Sequence, residues 1–517
     1  MSPSSVPSAA VEWLPWGPAA FVRARAEQKP VLLSIAVPWC QSCLEMDRTS
    51  YADEDTAAVI NQRFVPVRVD ADERPDVSER YTLGGWPTTA FLSPGGDILG
   101  GGTFVDRERM RGVLDRVLAA FARGPAAAGA PSPLPASPSG DVPRSEADLA
   151  RLVFDTFDAG HGGFGAPPKF PHVAPVRLAI DLWKESHDEG LRAIAVKTLD
   201  AMGWGPLYDE IDGGFFRCAA NRDWQVPQTA KLLDANAALL RLYLDAGAEL
   251  GLSRLTGRAS DILRYVQTWL SDPEGGWFGA QQADDRYYAA TEEDRRLLPP
   301  PPVGAIPFTD ANGSMVGAAL HAARVLDDEG LRAFALTSLE RVLLAGYRPG
   351  DGVAHFSEWR GPLHPARLVA RGDPSAPLPL LATRAGSGAR GLLADQVAMA
   401  AANLDAFDAT GNVVYEMMAE ELAHYAIRTM WDPGAGGFFD RAEQEDAIGL
   451  VRQRLKPFVL NCEAAQVLRR LSATSGEREF ARAADSTLAA IAPRAAEHGP
   501  LAAHFLLARR QSIVDSR

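Results

Sequence analysis

An aspartate followed a few residues later by Gly-Gly and an aromatic ring recurs along this chain, at Asp158–Phe164, Asp209–Phe215, Asp272–Trp277 and Asp432–Phe438, with a degraded copy at Asp351–Phe356. Spaced repetition of a turn signal implies that the segments between copies are equivalent structural units. Those segments include 231–250, 260–271, 312–325, 395–410 and 463–471, which are rich in alanine and leucine at helical spacing and show no convincing strand runs. Each interval holds two helices and a turn. About 370 residues from Ser145 onward, at roughly 60 per hairpin, predict about six hairpins, although the sixth has no glycine mark. The expectation is an (α/α)6 toroid with the glycine turns at one mouth of its lumen. A solenoid is the alternative, but helical repeats of that kind are shorter and more regular.

The first 123 residues follow different rules. The apolar run Lys29–Val37 leads into Trp39-Cys40-Gln41-Ser42-Cys43, so a Cys-x-x-Cys pair falls where a buried strand hands over to a helix. A helix N-terminus favours thiolate over thiol, which makes Cys40 the nucleophile and Cys43, one turn on, the resolving thiol. Cys-x-x-Cys also makes half of a zinc site, but zinc needs two further ligands. The first histidine is His161, and Cys218 and Cys462 are distant and isolated, so no metal and no other cofactor is expected. Asp53–Asn61 reads as a helix with an acidic first turn and Phe64–Asp70 as a strand. Gly84-Gly85-Trp86-Pro87 opens another strand with a proline where a cis bond is used, Pro94–Asp97 is a hairpin turn, and 106–123 a final helix. That order is the order of the thioredoxin fold, and the Trp-Cys-x-x-Cys and Gly-x-Pro-Thr pieces resemble that family. The resemblance implies a substrate groove around Cys40 formed by Trp39, Trp86, Pro87 and Thr88.

Residues 124–143 (GPAAAGAPSPLPASPSGDVP) cannot bury enough apolar area to offset their ordering entropy and read as a linker. The division expected is a thioredoxin-like domain over 1–123, a linker over 124–144 and the barrel over 145–517. A net charge of −14 argues against nucleic acid and anionic membranes as partners. The N-terminal residues have no signal-peptide pattern, no stretch reaches membrane-spanning length, and four cysteines make no disulfide framework, so a cytoplasmic protein is expected.

Further blocks extend the resemblance: Trp16-Gly17, Lys29-Pro30, Val69-Asp70, Glu73–Asp76, Gly101–Thr103, Gly162–Gly165 with Pro168–Pro171, Gly213–Phe215 with Arg217, and Trp224 with Val226-Pro227. Over nearly its full length the chain resembles the thioredoxin-domain proteins that include spermatogenesis-associated protein 20 and bacterial relatives. The resemblance implies a thioredoxin-like domain followed by a barrel similar to six-hairpin glycosidases. Three departures stand out. Ser34 occupies the strand position where thioredoxins carry a buried aspartate; Glu45 or Asp47 are substitutes for that base, or ordinary first-turn acids. Gln41-Ser42 and Leu44 replace the family's histidines and tryptophan around the cysteines. Gln228, Ala230 and Ala235 stand where the family commonly has histidine, glutamate and aspartate.

For the lumen, the candidate residues are His161, Lys169, Trp224, Gln228, Lys231 and Asp395. Carbohydrate cleavage needs two carboxyl groups across one bond, and Asp158, Asp209, Asp212, Asp284, Asp285, Asp310 and Asp395 lie near predicted turns. Aspartates before glycine turns also simply close those turns. Phe164, Phe215, Trp224, Trp277 and Phe438 are rings for sugar stacking or for core packing. Paired histidines, as an epimerase would need, are not suggested by His161, His172, His321 and His424. Three functions follow. The first is a thiol-disulfide oxidoreductase acting on a protein thiol or disulfide partner, its barrel binding a partner or ligand. The second is a carbohydrate-active, glycosidase- or epimerase-like barrel with an accessory thioredoxin domain. The third is a noncatalytic scaffold.

Overall fold

The computed structural model describes residues 10–123, 145–357, 388–445 and 447–514. They fall into two compact units: 10–123 with 443–445 and 447–454, and 145–357 with 388–442 and 455–514. The expected linker over 124–144 lies outside the described residues.

The first unit runs β1 (Leu14–Pro15), α1 (Pro18–Glu27), β2 (Val31–Ala36), α2 (Gln41–Arg48), α3 (Glu54–Arg63), β3 (Val65–Asp70), α4 (Pro75–Tyr81), β4 (Thr88–Leu92), β5 (Ile98–Gly102) and α5 (Arg107–Ala122). Its five strands are ordered β1-β3-β2-β4-β5, with β2 parallel to β3 and antiparallel to β4. Every residue of β2 is buried, which is why the strand reads as a continuous apolar run rather than an alternation. Asp53 and Asp106 cap α3 and α5 by accepting from Thr56 N and Arg109 N. Within the same unit the Tyr81 hydroxyl donates to Gly96 O at 2.7 Å and accepts from Leu450 N at 2.8 Å, and Arg80 donates to Gln453 O. Residues that sequence reading had placed in the barrel thus belong to the first unit.

The second unit is helical: α6 (Glu146–Asp155), α7 (Val173–Ser186), α8 (Glu189–Gly203), α9 (Leu233–Glu249), α10 (Ser253–Tyr265, prolonged by a π turn, Val266–Leu270), the short α11 (Asp285–Tyr288) and α12 (Glu292–Arg295), α13 (Thr309–Leu326), α14 (Glu329–Gly346), α15 (Leu393–Thr410), α16 (Val413–Met430), α17 (Phe458–Ser475), α18 (Arg478–Ile491) and α19 (Ala502–Val514). Helices α7, α9, α13, α15, α17 and α19 each pack on the next, and α19 packs back on α7, so they close a ring. Helices α8, α10, α14, α16 and α18 back their hairpin partners from outside, and α6 backs α19. The result is an (α/α)6 toroid whose first and last helices join to complete it. The sixth outer-to-inner connection, from α18 to α19, is the 3-10 segment Ala492–Leu501, which explains its missing Gly-Gly mark.

Each Gly-Gly turn joins an outer helix to the N-terminus of an inner one; Gly163 N of the first donates to Thr198 Oγ1, while in the other three and in the degraded turn a single amide forms the lock. Asn236 accepts from Phe215 N and donates to Phe215 O. Asn312 does the same for Trp277, Asn461 for Phe438 and Gln396 for Val353. Each amide is the fourth residue of its inner helix. Glycine is required under the lock: Gly214 sits at φ +82, and a Cβ there would meet the Tyr265 ring at 2.5 Å. The aromatic rings beside these glycines, Phe164, Phe215, Trp277 and Phe438, are core residues and present no face to solvent. Among the described residues no helix is long and apolar enough to cross a membrane.

Candidate functional site

Two places gather chemistry. In the first unit, the end of β2 delivers Cys40 to the N-cap position of α2, with extended backbone at φ −88 and ψ 119. Cys40 is partly exposed, while Cys43 is 1% exposed. The Cys43 thiol is pushed far above its ordinary range, first by its hydrogen bond with the Cys40 side chain and then by burial. The Cys40 contact and burial thus both favour the protonated form of Cys43. Cys40 Sγ lies 3.8 Å from the carbonyl oxygen of Trp86, whose bond to Pro87 is cis as the motif predicts. Trp39 meets Trp86 edge to face at 5.6 Å, and its Nε1 donates to Asp72 at 2.6 Å. Thr88 is fully buried at the start of β4, its Oγ1 donating to Gly85 O and accepting from Leu83 N, so it holds the groove's backbone.

Ser34, in place of an aspartate, is buried and pairs across the sheet with Thr89, which hydrogen-bonds the buried Tyr51 hydroxyl at 2.9 Å. Asp47, one turn beyond Cys43, is ion-paired to Arg68, and its negative charge adds to the forces holding the Cys43 proton. A nearby carboxylate thus exists, four residues along the helix rather than on the strand.

In the barrel, the sequence candidates separate. Lys169 is 0% exposed, with Nζ 2.9 Å from Asp158 Oδ2 and 2.9 Å from Arg222 O; Arg222 grips both Asp158 oxygens. Lys231, also 0% exposed, lies 2.7 Å from Asp209 Oδ2 and 2.6 Å from Gly213 O, with Arg295 bridging Asp209 and Asp212 at 2.9 Å each. Burial pushes the Lys231 ammonium down to about 8 against the opposing pull of Asp209, so it stays charged at neutral pH. Both lysines close glycine turns from within the protein and line no open space. Trp224 is buried, with Lys169 over its ring at 4.7 Å and its Nε1 donating to His161 O; His161 itself is exposed on the turn. Gln228 is exposed and bound to Arg217 at 2.8 Å, with the buried Cys218 thiol at 3.3 Å.

Asp395 belongs to a different group. On α9 the exposed positions Asp234, Ala238 and Arg241 recur at helical spacing on an otherwise buried inner helix, so that stripe faces the lumen. At the same ends of the next helices stand Asp310 of α13, Asp395 of α15 and Glu463 of α17. His355, from the degraded turn, places Nδ1 2.9 Å from Asp395 Oδ1. Asp395 is fully buried, and its Oδ2 has no hydrogen-bond partner among the described residues. Asp310, His355 and Asp395 each bring one ligand-type atom within 4.8 Å of the others. The walls around the lumen desolvate Asp234, Asp310 and Glu463 and push all three carboxyls up, Glu463 to about 7, with the charge of Asp310 adding to the push on Asp234 and Glu463. Sequence reading named Asp310 and Asp395 but passed over His355 and Glu463. The signal for His355 was the degraded turn, where Val353-Ala354-His355-Phe356 replaces the usual Gly-aromatic pair.

Residues 5–123 match the family model described as a protein of unknown function, DUF255, of the thioredoxin-like DsbH type. The chain is 32% identical to human spermatogenesis-associated protein 20 over 315 residues, 53% of this chain and 39% of that protein. It is 31% identical to the uncharacterized protein B0495.5 of Caenorhabditis elegans over 311 residues, 53% of this chain and 41% of that protein. The family resemblance read from the motif blocks is therefore present, over about half of this chain rather than nearly all of it, and the chain spans about two fifths of the length of these relatives. Among solved structures, a family 76 glycoside hydrolase (mannosidase), Bt3792 of Bacteroides thetaiotaomicron, shares the fold at TM-score 0.50 and 9% identity, covering 71% of this chain and 97% of that one.

Proposed function

We propose that the first unit is a thiol-disulfide oxidoreductase in a reducing compartment, with Cys40 as nucleophile and Cys43 as resolving thiol. The observation that supports this reading is the asymmetry of the pair: an accessible sulfur capping a helix, hydrogen-bonded to a buried thiol that keeps its proton. The Cys40 thiolate attacks one sulfur of a substrate disulfide and expels the other, forming a mixed disulfide. Cys43 then gives up its proton and attacks Cys40 Sγ. The second substrate thiol leaves, and two electrons have passed from the pair to the substrate. A dithiol reductant must restore the pair. Asp47, one turn along the helix from Cys43, is the carboxylate that would receive its proton in this reading.

The test is equilibration of the full chain against glutathione and dithiothreitol buffers, combined with iodoacetamide labelling from pH 5 to 9. A reversible two-electron couple, absent in Cys40→Ser, is expected. Labelling should fall on Cys40 with a midpoint well below that of an ordinary thiol, about 8.5. An ordinary midpoint together with no reversible disulfide would sink the reading.

A second reading concerns the barrel. Carboxylates from four successive inner helices converge on one end of the lumen, and the fold is shared with an enzyme named as a mannosidase. This supports a polar, carbohydrate-like ligand there. Binding and sugar release across a panel of oligosaccharides would separate an enzyme, a binding module and an empty scaffold.

A further inference from the structure

Three side chains at the lumen's end have the composition of a metal site rather than of a structural brace. Asp310 begins α13, Asp395 begins α15, and His355 comes from the turn between α14 and α15. Their ligand-type atoms lie within 4.8 Å of one another. A first-row dication binding at about 2.0–2.2 Å would hold such atoms roughly 3–4 Å apart, which small side-chain rotations would close. The second observation is Asp395 itself. A fully buried carboxylate oxygen with no partner among the described residues is an expensive arrangement, and a neighbouring carboxylate makes it worse. The positive ends of α13 and α15 offset part of that cost, but dipoles of this size do not neutralise two carboxylates.

We propose that Asp310, His355 and Asp395 bind a divalent transition-metal cation of the manganese or zinc class at this end of the lumen. One imidazole nitrogen and two carboxylate oxygens suit such ions and leave coordination positions open towards the lumen. Those positions would hold water or the hydroxyl groups of a polar ligand. The site is independent of the cysteine pair, and it stands whether or not the barrel cleaves sugars.

The experiment is titration of chelator-stripped full-length protein with Mn2+, read as loss of the free-ion electron paramagnetic resonance signal, followed by competition with Zn2+. One saturable site per chain is expected, with Zn2+ displacing Mn2+. Affinity should fall at least tenfold in Asp395→Asn and in Asp310→Asn. The double variant Cys40→Ser/Cys43→Ser should keep full stoichiometry, because Mn2+ has little affinity for thiols. Asp310 is only half-buried, so its variant keeps the test open should Asp395→Asn fail to fold. No saturable binding of either ion, or binding undiminished in both variants, would overturn the proposal.

Discussion

Asp209 and Asp395 stand at the same end of the same ring of helices, and both are buried, yet their surroundings are opposite. Asp209 has Lys231 at 2.7 Å and both oxygens within 2.9 Å of Arg295. Asp395 has His355 on one oxygen, nothing on the other among the described residues, and the carboxylate of Asp310 close by. A buried carboxylate costs several kcal/mol unless it is paired. Where the chain supplies a cation from a neighbouring segment, the assembly braces a turn. Where it supplies one histidine and a second carboxylate instead, one buried oxygen is left without a hydrogen bond among the described residues. Burial of acidic groups alone therefore does not mark a functional site; what sets Asp395 apart from Asp209 is a buried oxygen without a hydrogen bond beside a second carboxylate.

That contrast makes its largest prediction for stability. Asp209→Asn strands Lys231 and Arg295 with only Asp212 between them, and should destabilise the barrel by about 3–5 kcal/mol in urea unfolding. Asp395→Asn should change the stability of metal-free protein by less than about 1 kcal/mol, because the amide oxygen still meets His355 and a buried charge is removed. Equal losses in the two variants would erase the distinction between brace and site.

The amide locks rank next. Asn312→Ala leaves the N–H and the carbonyl of Trp277 buried without their partner, at an expected cost of about 2–4 kcal/mol. Asn312→Asp, which keeps the acceptor but buries an unpaired carboxylate against the Trp277 and Phe308 carbonyls, should cost at least as much as the alanine.

What sequence could show follows from how local each device is. The thioredoxin-like unit was legible over its contiguous strand, dithiol, proline strand and final helix, but its remote segment around 447–454 was not; Gly214 betrayed its turn because its backbone tolerates no side chain. The locks were half visible, as Asp-Ala-Asn at both 234–236 and 310–312. The ion pairs were not. Lys169 and Lys231 were nominated for the lumen, and nothing in their flanking residues reveals that Asp158 and Asp209, 11 and 22 residues away, had already engaged them. His355 escaped because its partner Asp395 is 40 residues distant in the sequence.

The smallest predicted effect sharpens the comparison through pH. Asp432 repeats the brace at a more accessible site, 2.7 Å from Lys456, with Oδ1 also accepting from Gly434 N and Ala435 N. The bond from Lys456, then those two amides, draw its carboxyl down from 3.8 to about 2. The folded pKa lies below the unfolded one, so the unfolded chain binds the proton more tightly. The stabilisation is complete above pH 3.8 and is lost as pH falls through about 2. With both side chains about a fifth exposed, solvent screening reduces it to the order of 1 kcal/mol. Asp432→Asn keeps an oxygen for the two amide bonds and removes the charge. Its deficit against wild type should be about 1 kcal/mol at pH 6 and close to zero near pH 2. A deficit constant across that range would assign the effect to the turn's hydrogen bonds, and the lysine would no longer be what separates these carboxylates from Asp395.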